Sequence, residues 1–189
     1  ITNDLCTPVS VHYAYDTYAL ANTTARAMVQ RGGKTWFFLT ADYAFGHTLQ
    51  QSATTVVTEA GGQVLGAARH PINTSDFASY LLQAQASKAQ VVGLANAGGD
   101  TVNAIKAASE FGLTRNGTQK MAGLLLYIND IHAIGLKTAQ GLVLTEAVKE
   151  SFAVKAKTAR VPALVARPAL APLPAANKAP VSRGPEPRR

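Results

Sequence analysis

The stretch "WFFLTADYAFGHTLQQSA", residues 36–53, changes character within a few residues. Its start, Trp36–Thr40, is almost continuously apolar, the pattern of a strand buried on both faces. From Leu49 onward the spacing changes. Leu49, Ala53, Val56, Val57 and Ala60 fall at i, i+4, i+7, i+8 and i+11, which is one helical face. Between the two lie Asp42, Tyr43, Ala44, Phe45 and Gly46, just past the carboxyl end of the strand. Open parallel sheets bind ligands at such ends. Two aromatic rings there can bury an apolar ligand, and the Tyr43 hydroxyl can orient it. A plainer reading stands beside this one, with Phe45 capping the core and Tyr43 an ordinary surface residue. The stretch alone leaves both open.

The alternation continues outward. Further short apolar runs occur at Gly62–Ala67, Gln90–Asn96, Met121–Tyr127 and Gly141–Thr145, and with Thr35–Thr40 they read as buried strands. A first helix is expected from about Thr17 to Gln30. The helix after the opening stretch stops at Gly61-Gly62, and a third runs from about Ser75 to Gln85. A fourth carries the stripe Val102, Ile105, Ala108 and Phe111, with Asp100 or Thr101 as N-cap and Gly112 as terminator. Strands alternating with helices imply βαβ units, right-handed crossovers and a mostly parallel sheet. The fold class is therefore α/β, a Rossmann-like three-layer domain over residues 17–147.

The chain of 189 residues is long enough for one domain with a full core. No apolar run approaches the roughly 20 residues that span a bilayer. Cys6 is the single cysteine, which excludes an intrachain disulfide and a cysteine-built metal site. The opening "ITNDLCTPVS" lacks a basic stretch followed by an apolar one, so no signal peptide is read there. The net charge of +7 is unevenly placed. Residues 1–147 hold nine basic and nine acidic side chains, whereas 148–189 hold nine basic against Glu150 and Glu186, which accounts for the whole excess. Seven of the nine prolines also lie beyond residue 147. Proline at that density opposes helix and sheet, so a disordered basic tail is expected, with a frayed helix at most over 148–158. Its charges are sparse and lack interleaved aromatics, so no nucleic-acid partner is expected.

A second candidate site is "VVGLANAGGDTVNAI", residues 91–105. Asn96, Ala97 and Gly98 join a strand to a helix, and backbone N–H groups at a helix N-terminus can receive an anion. A plain glycine turn is the competing reading. The stretch is neither GxGxxG nor GxxxxGK[ST], and Asp100 would repel a phosphate. His12, His47, His70 and His132 have no metal-like spacing and read as polar surface or turn residues. No HExxH and no GxSxG occurs. Neither a catalytic residue, a cofactor nor a metal is expected.

The run from Lys34 to Asp100 resembles the periplasmic substrate-binding proteins of ABC transporters, of the branched-chain amino acid type with the type I periplasmic-binding fold. The matching features are Phe45-Gly46 after a strand, the "TSDF" segment (Thr74, Asp76, Phe77), and "ASKAQVVGLA" leading into Gly98-Gly99. The segments "AIKAASEFGL" and "TAQGLVLTEA" continue the order, so the likeness covers about residues 1–147. It implies a receptor of two α/β lobes, a periplasmic location, a small-molecule ligand and a membrane permease as partner. Residues 1–16 then correspond to the end of the first lobe and the crossing segment, and 17–147 to the second lobe. By the same likeness Phe45, with Tyr43 beside it, stacks on the ligand. Asn96 to Gly98 and the loop after Leu126, with Tyr127, face the cleft, and Thr2-Asn3 matches a ligand-contacting loop of the first lobe.

Two departures qualify the likeness. Amino-acid binders of this kind carry an acidic residue near the end of the fourth strand, where this chain has Leu124, Leu125 and Leu126. A buried ammonium without a partner is costly, so a small carboxylate, an aromatic one included, or an amide is expected beside the branched-chain type. After "VLTEA" the chain reads "VKESFAVKAKTARVPALVARP", a composition typical of out-of-frame translation of a GC-rich gene. Three other readings stay open: a ligand-sensing module of a regulator, a Rossmann-like nucleotide-binding enzyme, and an interaction protein working through its tail.

Overall fold

Five strands form one parallel sheet: β1 (Thr35–Ala41), β2 (Gln63–His70), β3 (Val91–Ala95), β4 (Lys120–Gly123) and β5 (Val143–Leu144), in the order β2-β1-β3-β4-β5. The structure, a computed structural model, describes residues 7–9, 15–114, 117 and 119–146. Thr2, Asn3, His12 and the tail from 148 lie outside the described residues. Helices α1 (Thr17–Gln30) and α2 (Ala44–Glu59) cover one face, and α3 (Ala78–Ala86) and α4 (Gly99–Glu110) the other.

Side-chain alternation along β1 divides the core. Trp36 and Phe38 point into the α1–α2 layer with Leu20, Met28, Leu49, Val56 and Val57. Phe37 and Leu39 point the other way, against Phe77, Leu81, Leu94 and Ile105. Gly93 of β3 stands on the first face because the Phe38 ring fills its place; a Cβ there would come within 2.5 Å of that ring. Each side of the central strand thus has its own apolar layer, the reason β1 and β3 read as unbroken apolar runs.

The boundaries depart from expectation where an edge or a cap intervenes. β2 alternates exposed and half-buried residues because it is the sheet edge, with Leu65 exposed, so it is not buried on both faces. β4 ends at Gly123, but the Leu124 and Leu126 N–H groups still donate to the Leu94 and Thr145 carbonyls, and Leu124–Leu126 stay buried as core. α3 starts at Ala78 rather than Ser75: Phe77 is its N-cap, and Asp76 accepts the Ala78 N–H at 2.8 Å. The α4 N-cap is Gly98, two residues before Asp100, and the helix runs from Gly99. Its buried face is Thr101, Ala104, Ile105 and Ala108, which leaves Phe111 exposed. A short fifth helix, α5 (Ile128–Ile134), follows Tyr127 where a loop was expected. Its Asp130 accepts the Tyr127 N–H at 2.9 Å, a cap whose carboxylate sits three residues into the helix. His70 is fully buried rather than a surface residue, packed edge-on against Phe77 at 4.8 Å.

Candidate functional site

The chain leaves β1 through α2 to reach β2 on one side, and leaves β2 through α3 to reach β3 on the other. The crevice between the carboxyl ends of β1 and β3 is therefore the topological switch point, where open α/β sheets take ligands. The turn after β1 and the turn after β3 are its two walls.

The first wall is made of side chains. Tyr43 is the N-cap residue of α2, and its ring lies 5.9 Å from that of Phe45. Phe45 leans on the α1–α2 core layer while Tyr43 stays exposed. Burial raises the Tyr43 phenol above its ordinary value, helped by the negative charge of Asp100 and then by Tyr15. Behind the rings, Gly46 lets α2 start directly on the strand ends. A Cβ at Gly46 would stand 2.1 Å from the Ala41 carbonyl oxygen and 3.1 Å from that of Ala95. Asp42 and His47 close the outer side with a 2.7 Å contact between carboxylate and imidazole.

The second wall is made of backbone over a buried polar net. Asn96 is fully buried: its amide nitrogen meets His70 Nε2 at 3.0 Å and its oxygen accepts the Thr101 hydroxyl at 2.7 Å. It ties the end of β2, the end of β3 and the start of α4 together, so it shapes the wall from behind instead of presenting its amide. Ala97 packs on the same core layer as Phe45. Gly98 has φ +58° and opens into free space. Asp100 is buried and accepts the Asn73 N–H at 3.2 Å, which turns its carboxylate toward the loop after β2.

The third side is the Tyr127 turn after β4. The Tyr127 hydroxyl donates to the Tyr15 hydroxyl at 3.0 Å. Its phenol is pushed up to about 12, chiefly by burial, then by that hydrogen bond, then by the charges of Tyr15, Asp130 and Glu146. Glu146 accepts the Ile128 N–H at 3.0 Å, and Thr145 bonds the Leu20 carbonyl at 3.1 Å and the Thr24 hydroxyl. Of the residues expected at the site, Tyr43, Phe45, Ala97, Gly98 and Tyr127 all lie at this end of the sheet, with Asn96 one layer below. Leu124, Leu125 and Leu126 are core, so the end of β4 offers no carboxylate. Tyr15 is the neighbour that sequence reasoning missed, although a signal existed. Helices of βαβ units run antiparallel to the strands, so a residue just before the α1 N-cap, Asp16, belongs at the ligand-binding end.

A cavity of about 250 Å³ lies elsewhere, between α4 and the start of β4, lined by Ile105, Met121, Thr138 and Leu142 among others. It is at the opposite ends of the strands, and its Gln119 is committed to the Ala84 and Ala89 carbonyls. Among the described residues no group of His, Cys, Asp and Glu could hold a metal ion, and no helix is long and apolar enough to cross a membrane.

Comparison with known proteins agrees with this architecture. A family model described as "Periplasmic binding protein" matches residues 1–177. A periplasmic binding protein from Burkholderia mallei superposes with a TM-score of 0.71 at 66% identity, over 75% of this chain and 37% of its own. A branched-chain amino acid ABC transporter periplasmic ligand-binding protein from Burkholderia xenovorans gives 0.65 at 36% identity, over 70% and 35%. Leu/Ile/Val-binding protein homolog 6 of Brucella melitensis is 30% identical over 140 residues, 73% of this chain and 36% of its own. The chain thus spans little more than a third of the length of these relatives. It belongs to the periplasmic binding protein family.

Proposed function

We propose that this member of the periplasmic binding protein family forms the second lobe of the solute-binding component of an ABC transporter. In that reading residues 17–147 carry half of a cleft that captures a small organic ligand, branched-chain amino acid-like or an aromatic carboxylate. The complete receptor closes over the ligand in the periplasm and delivers it to a membrane permease. The chain acts by binding, not by catalysis.

The observation that carries this reading is the pairing of unlike walls across the switch point. The Tyr43–Phe45 wall offers apolar area with one hydroxyl at its edge, and the Gly98 turn lets a ligand approach the backbone. Aromatic rings left at a strand mouth are otherwise a cost in solvated apolar surface. The buried leucines at the end of β4 favour a ligand without an ammonium to pair at that place. A nucleotide fits less well, because Asp100 stands in the first turn of α4 where a phosphate would approach.

Binding is tested by NMR titration of the chain with L-leucine, benzoate, benzamide and ATP, a method that reads weak affinities of the kind a half-cleft supports. Benzoate or L-leucine should shift the resonances of Tyr43 and Phe45. Phe45→Ala should weaken that binding at least tenfold. Shifts produced by ATP alone, centred on Gly98–Thr101, would replace this reading with a nucleotide-binding one.

A further inference from the structure

We infer that Tyr15 is a further ligand contact of this cleft, its hydroxyl standing at the end of a two-phenol chain and donating to a carboxylate oxygen of the ligand. The inference rests on the solute-binding reading and extends it to a residue outside both walls, in the segment that leads into α1.

The geometry gives the direction of the chain. A phenol has one proton to donate. The Tyr127 proton is spent on the Tyr15 oxygen, at 3.0 Å. Tyr15 is therefore an acceptor toward Tyr127, and among the described residues no acceptor takes its own proton. Tyr15 is 43% exposed, which leaves its hydroxyl within reach of a ligand. A hydroxyl that already accepts a hydrogen bond is a stronger donor, and a carboxylate is the acceptor that gains most from it.

Both phenols are held in place from behind. Asp16, next to Tyr15, caps α1 by accepting the Ala19 N–H at 2.7 Å. Tyr127 is fixed through its backbone by Asp130, and the following Ile128 by Glu146. Those bonds also turn both carboxylates toward backbone donors, so the phenol pair is the freer polar group here. The two ends of a ligand then have separate places. Its apolar part lies on the Tyr43–Phe45 wall, and its carboxylate reaches Tyr15 on the β4 side. Tyr43 follows β1 and Tyr15 meets the Tyr127 turn after β4, so both stand at the carboxyl ends of the strands.

Tyr15→Phe removes the donor and keeps the ring. In the NMR titration this variant should bind benzoate about tenfold more weakly than the wild-type chain, and benzamide with a smaller loss. An independent readout needs no ligand. Tyr127 titrates against Tyr15, Asp130 and Glu146, and without Tyr15 its tyrosinate absorbance should appear at lower pH than about 12. Benzoate binding that is lost in Phe45→Ala but unchanged in Tyr15→Phe would overturn the assignment while leaving the solute-binding reading intact. An unmoved Tyr127 titration would overturn the two-phenol chain itself. Failure of wild type to bind any carboxylate probe would overturn both proposals.

Discussion

Gly46 and Gly98 open the two helices that flank the same crevice, and they are glycines for opposite reasons. Gly46 sits in ordinary helical backbone, and space is what forbids a side chain: the Ala41 and Ala95 carbonyls occupy the position a Cβ would take. Gly98 has open space around it, and its backbone conformation is what forbids one, at φ +58° and ψ −133°. The first glycine lets a helix sit on two strand ends and so fixes where Tyr43 and Phe45 stand. The second lets the chain reverse from β3 into α4 without covering the crevice. One wall is a matter of packing and the other of backbone freedom, and mutations separate them.

The largest effect belongs to Gly46→Ala. Its new methyl would meet backbone atoms, which cannot swing aside as a side-chain end can. Relief requires α2 to move off β1 and β3, and the expected cost is about 3 kcal/mol, at the upper end of overpacking penalties. Urea denaturation should show a lower midpoint with an unchanged slope. A variant as stable as wild type would mean that α2 does not start where it is placed here.

Asn96→Ala comes next and probes the net behind the second wall. It leaves the Thr101 hydroxyl without its acceptor and His70 Nε2 without its partner, both in buried surroundings. Buried polar groups stripped of a hydrogen bond cost roughly 1–3 kcal/mol, so a loss of about 2 kcal/mol is expected. The same denaturation series checks it. If Asn96 instead gave its amide to solvent or ligand, the variant would lose affinity for the NMR probes with little loss of stability.

How much of this was legible in the sequence follows from the same distinction. Unbroken apolar runs mark the buried strands and a 3.6 period the helices, so α1 is legible from Thr17 to Gln30 and the buried face of α2 from Leu49 to Val57, with Ala60 just past its end as the C-cap. Tyr43 and Phe45 could be placed at a strand mouth because the period changes around them. What periodicity does not encode is tertiary partnership. His70 and Asn96 look like loop residues because each is polar, and only the fold brings the ends of β2 and β3 together so that they satisfy each other in the core. Edge position is likewise hard to see: Gly62–Ala67 reads as a short apolar run beside Thr35–Thr40, and the exposure of β2 comes from having a neighbour on one side alone. The α4 cap was misplaced for a local reason. Asp100 is a better N-cap type than glycine and Thr101 an equal one, but both are recruited elsewhere, to Asn73 and Asn96.

Gly98→Ala is the smallest of these changes and the one that sharpens the contrast. A methyl at this position meets nothing within 4 Å, so no packing term opposes it. What remains is the backbone: a residue with a Cβ is strained at this φ and ψ, by about 1 kcal/mol. The expected result is a modest drop in the urea midpoint, well short of Gly46→Ala, with Tyr43 and Phe45 resonances unmoved. The methyl would, however, project into the crevice from the turn that a ligand must approach. Benzoate binding should therefore fall more than stability does, which is the signature of a wall built from backbone. Equal losses in Gly46→Ala and Gly98→Ala would erase the distinction, and would mean that the two helix starts form one packed unit rather than two walls of different make.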